Sequence, residues 1–181
     1  MIVPIAEVLE NNWLTGRDIG DGDGLVEPEG AAIDVRLGEI WEMDTESEAF
    51  LGKTTRKTRE YKKVAEYQVG NDNNWFELQP NKYYQFKTVE TMDVPQAIVA
   101  RFVARYNVLA NGIMVLGYKA DPGYQGPFVV PIINLSGVPF KMELGCRFAQ
   151  FEFHRVDGEG VMYRGQWKGG RVYTKEEEIQ V

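Results

Sequence analysis

The chain contains 181 residues, of which 44% are hydrophobic and 26% are charged. This length and composition exclude collagen-like, low-complexity and wholly disordered proteins, and they predict one domain with a packed core. The 27 acidic and 20 basic residues give a net charge of −7 at neutral pH. A face that binds nucleic acid irrespective of sequence must be basic, so we expect no nucleic acid partner, and a polyanionic ligand would have to meet local Arg and Lys side chains.

No apolar run approaches the roughly 20 residues that a membrane helix needs, and the N-terminus lacks a basic region followed by a long apolar segment. The single cysteine, Cys146, cannot form an internal disulfide or a thiolate metal cage. These features predict a soluble, unprocessed protein without membrane partners. Because a lone thiol suits a reducing compartment, we expect a cytoplasmic location.

In chain order, the first predicted element is a short helix within residues 4–14, where apolar residues have helical spacing. A loop rich in Gly and Pro follows at residues 20–30. Most of the later apolar segments have strand patterns and are rich in Val, Ile, Phe and Tyr; they lie at 32–37, 83–89, 97–104, 113–118, 128–133, 140–144 and 148–153. This succession predicts a mainly β fold: a β-sandwich, jelly roll or barrel.

Two segments interrupt the strand pattern. The basic segment, Lys53 to Lys63, is expected either to form the solvated face of a hairpin or to contact phosphates. Residues 163–173 combine several glycines with Arg, Lys and Trp before an acidic tail. Their glycine content predicts a flexible C-terminal arm at about 160–181 of a single domain that spans 1–181.

The sequence offers few residues for metal or nucleophilic catalysis. His154 is the only histidine, so a His metal site or a Ser-His-Asp triad has little basis. Cys146 has no histidine near it in sequence and is interpreted as a buried or incidental thiol. What remains is a distributed site of carboxylates, guanidinium groups and glycine loops, which suits phosphate chemistry. Asp121, before a Pro-Gly turn, would there either orient a water or stabilise the turn.

Separated segments of the chain carry a set of ordered motifs. They are Ala-Ile-Asp-Val-Arg-Leu-Gly at 32–38, Thr-Val-Glu at 88–90 with Pro95, Asp-Pro-Gly-Tyr-Gln-Gly at 121–126, Gly-Cys-Arg-Phe-Ala-Gln at 145–150, and the Gly-rich stretch 163–170. In this order they resemble the motifs of one superfamily, the trimeric dUTPases and the metal-independent dCTP deaminases. The last stretch resembles the mobile C-terminal arm of that superfamily.

The resemblance implies a distorted jelly roll or β-barrel of the dUTPase-like type that assembles as a homotrimer with sites between subunits. The deaminase branch implies deamination of dCTP, and the dUTPase branch implies hydrolysis of dUTP to dUMP and pyrophosphate, with Mg²⁺ held mainly by the triphosphate oxygens and no metal site of the protein's own. Asp121 would then orient the attacking water, Tyr124 would pack against the deoxyribose, and Trp167 would close over the base. The remaining implied substrate contacts are Arg105, Asn107, Gln150, Arg164 and Lys168.

One departure from the superfamily concerns deamination. In the deaminases, the strand after the third motif carries a Glu that activates the attacking water. Counting from Asp121 to Asn134, that position is Pro131 in this chain, and proline can neither accept nor deliver a proton. Unless another acid such as Glu143 or Glu152 replaces it, deamination should be lost, which favours the dUTPase interpretation.

A second departure concerns phosphate binding. The superfamily's serine-containing segment aligns with residues 105–110, where Tyr106 and Asn107 replace the serines and Ala110 replaces the second Arg of the deaminases. Asn107 could donate a hydrogen bond in place of a hydroxyl, whereas Tyr106 could block the pocket. Three functions therefore stay open: a dUTPase-like hydrolase, a dCTP deaminase that forms dUTP or dUMP, and an inactive nucleotide-binding or interaction module of the same fold.

Overall fold

The computed structural model describes residues 1–19, 28, 30–71, 74–158 and 160–180, so most of the loop predicted at 20–30 lies outside the described residues. The helices are α1 (Ile5–Glu10) and α2 (Tyr106–Leu109). The strands are β1 (Leu14–Thr15), β2 (Ile33–Met43), β3 (Phe50–Leu51), β4 (Thr55–Lys57), β5 (Tyr61–Glu66), β6 (Trp75–Leu78), β7 (Tyr83–Asp93), β8 (Ile98–Ala104), β9 (Ile113–Val115), β10 (Lys119–Ala120), β11 (Gln125–Asn134), β12 (Phe140–Glu143), β13 (Arg147–Arg155) and β14 (Glu178–Ile179).

The mainly β fold class and the short N-terminal helix are confirmed, and a strand lies at each predicted strand segment. The sequence prediction missed the strands of the charged and polar stretch between β2 and β7. These strands lack a repeating apolar pattern because several of their side chains face solvent. In the part of the chain that the structure describes, no helix is long and apolar enough to cross a membrane.

One antiparallel sheet organises the described chain, with strand order β10-β8-β13-β2-β7-β11-β9 and with β1 on β7 and β5 on β2. The sheet curls around a core in which aromatic rings are the largest members. Phe102, Phe128, Phe148 and Phe151 have neighbouring ring centroids 5.2–5.8 Å apart, in stacked, tilted and edge-on contacts. Two small sheets, β12-β6 and β14-β4-β3, complete the fold.

A fully buried ion pair joins β2 to β7. Arg36 and Glu90 are 1% and 0% exposed, and the Nε of Arg36 donates to Glu90 Oε1 at 2.7 Å. The backbone N–H of Arg36 donates to Glu90 Oε2, also at 2.7 Å. The remaining guanidinium nitrogens donate to the carbonyls of Ile19 and Gly16 at 2.8 Å, so the pair also anchors the segment that follows β1.

The neighbouring threonine of the same motif connects β7 to β11. The register between these strands shifts from Pro127 to Val129, which leaves Phe128 at a bulge. The N–H of Phe128 donates to the hydroxyl of Thr88 at 2.9 Å, and this hydroxyl donates to the carbonyl of Glu90 at 2.7 Å. The Thr-Val-Glu motif therefore has a structural role, since it satisfies buried polar groups at the strand that carries the site described below.

Removal of one charge from the buried pair should strongly destabilise the protein. Glu90→Gln leaves the guanidinium of Arg36 buried without a counter-charge, so we expect the free energy of unfolding to fall by about 3–5 kcal/mol. Urea denaturation measures this loss. The control Glu66→Gln, at the half-exposed pair with Lys63, should cost less than about 1 kcal/mol, and equal losses in the two variants would contradict the account.

Candidate functional site

A cavity of about 530 Å³ lies between β11, the loop that precedes β11, and the C-terminal arm. Its lining contains Asp121, Tyr124 and Pro131 from one stretch of chain and Tyr163 and Trp167 from the arm. The fold brings these residues together because the arm returns across the loop that carries Asp121 and Tyr124. The cavity is the candidate functional site.

Asp121 follows β10 and begins a turn. The turn is closed by backbone, since the N–H of Tyr124 donates to the carbonyl of Asp121 at 3.0 Å. Gly123 has φ of +80°, a conformation that favours glycine. The carboxylate of Asp121 accepts a hydrogen bond from the ammonium of Lys119, which also lines the cavity. A half-buried carboxylate at a cavity wall can orient a water molecule.

Tyr124 contributes an aromatic ring whose hydroxyl is already engaged. The ring packs edge-on against Phe128, with 5.8 Å between centroids, and in a tilted contact against Tyr163, with 6.1 Å between centroids. Its hydroxyl donates to the carbonyl of Pro127 at 2.6 Å. Burial raises the pKa of Tyr124 well above its ordinary value. Tyr124 therefore acts as a neutral, fixed surface of the cavity rather than as an acid or base.

Pro131, which the resemblance aligns with a Glu of the deaminases, lies in the cavity wall. It sits in β11 opposite Gln85 of β7, and its carbonyl accepts a hydrogen bond of 2.9 Å from Leu116. Neither substitute acid considered above lines this cavity: Glu143 pairs with Trp75 of β6, and Glu152 Oε2 lies 3.2 Å from Nε2 of His154. Among the cavity-lining residues that the structure describes, Asp121 is the one carboxylate.

The backbone of the arm contacts the segment 122–126. Tyr163 N–H donates to the carbonyl of Pro122 at 2.6 Å, and Gly169 N–H donates to the carbonyl of Gln125 at 2.7 Å. Gly126 packs so closely that a Cβ built on it would lie 2.6 Å from Gly169 Cα. Glycine is therefore required at position 126, near the start of β11, for the arm to approach.

Trp167 of the arm contacts two guanidinium groups. The Cζ atoms of Arg56 and Arg171 lie 4.9 and 5.3 Å from the centroids of its rings. These distances are within the range of cation–π contacts, which favour a fixed position of the indole. The arm thus brings an aromatic face and a positive charge to the cavity, since Trp167 and Arg171 both line it.

Arg105 belongs to a second cluster rather than to the cavity. Arg105 and Arg147 each donate to Oδ2 of Asp34 at 3.0 Å. Gln150 lies opposite Asp34 in the pairing of β13 with β2. Oδ1 of Asp34 is buried and has no hydrogen-bond partner among the residues described. Two guanidinium groups against one carboxylate leave a net positive charge at this cluster.

The other predicted contacts lie at the surface. Asn107 is exposed on α2, as is Tyr106 at 79% exposure, and Arg164 and Lys168 are exposed on the arm. Neither helix residue lines the cavity, so Tyr106 does not block the cavity of its own chain. A single chain therefore brings together Asp121, Tyr124 and Trp167, and separates them from the Arg105 cluster.

The sequence analysis did not predict several of the cavity residues, among them Lys119, Thr58 and Gln85. Lys119 had a usable signal, since residues two apart in extended chain share a face, and Asp121 is two residues further on. Thr58 and Gln85 come from distant segments and line the cavity only through tertiary packing. No local pattern could have indicated them.

The described residues contain no group of three or more His, Cys, Asp or Glu side chains placed to hold a metal ion. The cavity itself offers a single carboxylate. This donor set does not make a metal cage, but it fits a divalent cation that arrives on the oxygens of a phosphate ligand.

The fold and motifs are shared with proteins of known type. The family model described as dCTP deaminase-like matches residues 19–156. A dUMP-forming dCTP deaminase of Dictyoglomus thermophilum is 28% identical over 156 residues, which cover 84% of this chain and 77% of that protein. A probable deoxyuridine 5'-triphosphate nucleotidohydrolase of Methanopyrus kandleri is 26% identical over 137 residues, which cover 76% of this chain and 84% of that protein.

Among solved structures, the 2'-deoxycytidine 5'-triphosphate deaminase of Agrobacterium tumefaciens matches this fold with a TM-score of 0.61 at 18% identity. The match covers 86% of this chain and 48% of that one, so the present chain spans about half of its length. The class is therefore the dUTPase-like β fold of nucleotide-processing proteins. The chain belongs to the dCTP deaminase-like family.

Substitution of Gly126 should detach the arm. Gly126→Ala places a methyl group against Gly169, so we expect trypsin to cleave the arm after Lys168 and Arg171 about tenfold faster than in the wild type. Gly137→Ala is the matched control, because Gly137 also has positive φ but has open space around it. Equal cleavage rates in the two variants would show that the close contact does not hold the arm.

Cys146 should be chemically inert in the folded protein. Burial, together with the neighbouring charge of Glu143, raises the pKa of its thiol to about 11. Because the thiolate reacts, we expect alkylation by iodoacetamide at pH 8 to be about 100-fold slower than in urea, and to accelerate as the pH rises towards this pKa. Mass spectrometry of timed samples measures the rate. Alkylation at the same rate in native and unfolded protein would contradict a partly buried thiol with a raised pKa.

Proposed function

We propose that the chain is a nucleotide triphosphate hydrolase that converts dUTP to dUMP and pyrophosphate. The observation that carries this proposal is the placement of Pro131 in the cavity wall, with Asp121 as the one carboxylate among the described lining residues. A cavity built in this way lacks a proton carrier for deamination at the place where the deaminases have one, yet retains a group that can orient a water molecule.

In the proposed reaction, a water oxygen attacks the α-phosphorus of the triphosphate. The bond between this phosphorus and the oxygen that bridges to the β-phosphate breaks, and pyrophosphate leaves with that oxygen. Asp121 accepts a hydrogen bond from the water and receives its proton as the new bond forms. Lys119, which pairs with Asp121 in the free protein, is placed to compensate charge that builds up on the phosphates.

The substrate would bind between an aromatic wall and cationic groups. Tyr124 presents a fixed ring against the deoxyribose, and Trp167 covers the base. Mg²⁺ would arrive with the triphosphate and neutralise part of its charge. Arg171 of the arm adds a guanidinium group at the cavity wall.

The proposal includes a homotrimer. Arg105, Arg147 and Gln150 form a cluster that carries excess positive charge and lies outside the cavity of its own chain. Assembly with sites between subunits would place this cluster of one subunit beside the cavity of the next, where it would bind the phosphates. Asn107 would then also approach the phosphates from α2.

The second candidate is a dCTP deaminase, and one observation favours it: the relative from Dictyoglomus thermophilum carries that name. In this case an acid supplied by another subunit would replace the missing Glu. The two functions give different products from dCTP, since deamination yields a uracil nucleotide and pure phosphate hydrolysis does not.

The test is incubation of the purified protein with Mg²⁺ and, separately, dUTP and dCTP, with chromatographic separation of the products. We expect dUMP and pyrophosphate from dUTP and no uracil nucleotide from dCTP. Asp121→Asn should lower kcat by at least about 100-fold, because the amide cannot accept the proton. The matched control Asp157→Asn, at an exposed aspartate, should retain the wild-type rate.

Each outcome has a distinct meaning. Formation of dUTP or dUMP from dCTP would contradict the hydrolase proposal and show that a residue other than Pro131 supplies the base. Absence of turnover with either nucleotide would assign the chain to the inactive binding modules of this fold. Equal loss of activity in both variants would show that Asp121 has no special role.

A further inference from the structure

The acidic tail, residues 173–180 at the end of the C-terminal arm, forms backbone contacts with the hairpin of β3 and β4. Strand β14 pairs with β4, so that Glu178 lies opposite Arg56. Beyond the strand, the N–H of Gln180 donates to the carbonyl of Thr54 at 2.9 Å, and its side-chain amide donates to the carbonyl of Gly52 at 2.7 Å. The hairpin thus provides an edge on which the tail is bound as a third strand.

A second set of contacts lies just before β14. The N–H of Thr58 donates to the hydroxyl of Thr174 at 2.9 Å, and the N–H of Thr174 donates to the hydroxyl of Thr58 at 2.8 Å. Thr174 is fully buried. The ring of Tyr173 packs against Tyr61 at 6.4 Å and Trp41 at 6.5 Å. These reciprocal hydrogen bonds satisfy buried polar groups, and the aromatic packing buries apolar surface, so both stabilise the contact between the tail and the hairpin.

Glu178 connects this interface to the arm. Its Oε1 accepts hydrogen bonds of 2.9 and 2.8 Å from Arg56, and its Oε2 accepts one of 2.6 Å from Arg171. These are the two arginines that contact the indole of Trp167. Although partial burial acts to raise the pKa of Glu178, the hydrogen bonds from Arg171 and Arg56 outweigh it and lower the pKa below the ordinary value. One carboxylate therefore fixes both cations around the tryptophan.

Three other cations of the basic segment 53–63 also have partners within the chain. Lys57 lies 3.8 Å from a carboxylate oxygen of Glu48, and Lys63 lies 2.6 Å from one of Glu66. Arg59 donates to the carbonyl of Ser47. Internal pairing uses charge that a phosphate ligand would otherwise meet, so the segment is better suited to hold the tail than to bind a polyanion.

We propose that the β3–β4 hairpin and the tail, residues 173–180, form a clamp that fixes the arm on the cavity, and that Glu178 is the positioning residue of this clamp. Glu178 acts through Arg56 and Arg171, which set the place of Trp167 in the cavity wall. The consequence for substrate rests on the proposed function. The clamp itself concerns the free protein and does not depend on any reaction.

The clamp is tested by amide hydrogen exchange of the full chain without nucleotide. In Glu178→Gln the charge-assisted hydrogen bonds are weakened, so we expect exchange in residues 163–173 to be about tenfold faster than in the wild type. Glu177→Gln is the matched control, since Glu177 is the exposed neighbour on the same tail. Arg56→Gln removes the same contact from the hairpin side and should reproduce the effect. Circular dichroism establishes that the variants remain folded.

Activity provides the second readout. Because the clamp positions Trp167 without touching the reacting atoms, Glu178→Gln should raise KM for dUTP about tenfold and change kcat less than about twofold. Glu178→Asp, which keeps the charge, should restore part of the lost affinity. A loss of kcat alone would contradict a positioning role.

The two proposals fail in different ways. Exchange in residues 163–173 that is equally fast in wild type and Glu178→Gln, or equally accelerated by Glu177→Gln, would overturn the clamp even if dUTP is hydrolysed. A protein that hydrolyses no dUTP would overturn the proposed function, and the exchange comparison would still decide whether the clamp exists.

Discussion

The buried pair of Arg36 and Glu90 is the interaction on which the rest of this structure depends. It lies at the centre of the curled sheet, where a lone charge would be prohibitively unfavourable, so each partner requires the other. Through two carbonyls it also anchors the segment before β2. The hydroxyl of Thr88, two residues before Glu90, accepts a hydrogen bond from the backbone N–H of Phe128 at the bulge, and so connects β7 to β11. The Thr-Val-Glu motif at 88–90 therefore stabilises both the core and β11, the strand that forms part of the cavity wall.

Around this frame, the site is formed where a loop and an arm meet. The loop supplies Asp121, the start of β11 supplies Gly126 with no side chain to obstruct the arm, and the arm supplies Trp167 and Arg171. The acidic tail then holds the arm through Glu178. A carboxylate that would otherwise add repulsion for a phosphate ligand is used here to orient two guanidinium groups. The net negative charge of the chain is therefore compatible with an anionic ligand, because the local charge at the site differs from the average.

Much of the fold could be predicted from the sequence because alternation of apolar residues reports a buried strand face directly. The runs that contain Phe102, Phe128 and Phe148 are examples: each has one face in the core. Strands β3, β4 and β14 could not be predicted, since they are two or three residues long and are stabilised by one another rather than by burial. The pairing of β14 with β4 joins residues more than 100 positions apart, which no local pattern reveals.

Part of the site could also be predicted from local sequence. Asp121 and Tyr124 occur in one short motif whose glycines impose a tight turn, so sequence alone placed them together. Arg105 and Gln150 were predicted to join them, but the single chain holds Arg105 at Asp34 by an ion pair. The Arg105 cluster of one subunit meets the cavity of another only if subunits assemble. Assembly depends on complementary surfaces, which no local sequence pattern reveals. The flexible arm stays a prediction, and the structure adds the contacts that could restrain it.

The measurement that tests the account most directly is photo-cross-linking with a non-hydrolysable α,β-imido analogue of dUTP that carries an azide on the uracil ring. Peptide mapping of the labelled protein locates the base. The account predicts label within residues 118–131 and on the arm at residues 163–173, and loss of labelling when excess unlabelled analogue is present. Label confined to other segments, or labelling that unlabelled analogue does not reduce, would contradict the assignment of this cavity as the nucleotide site.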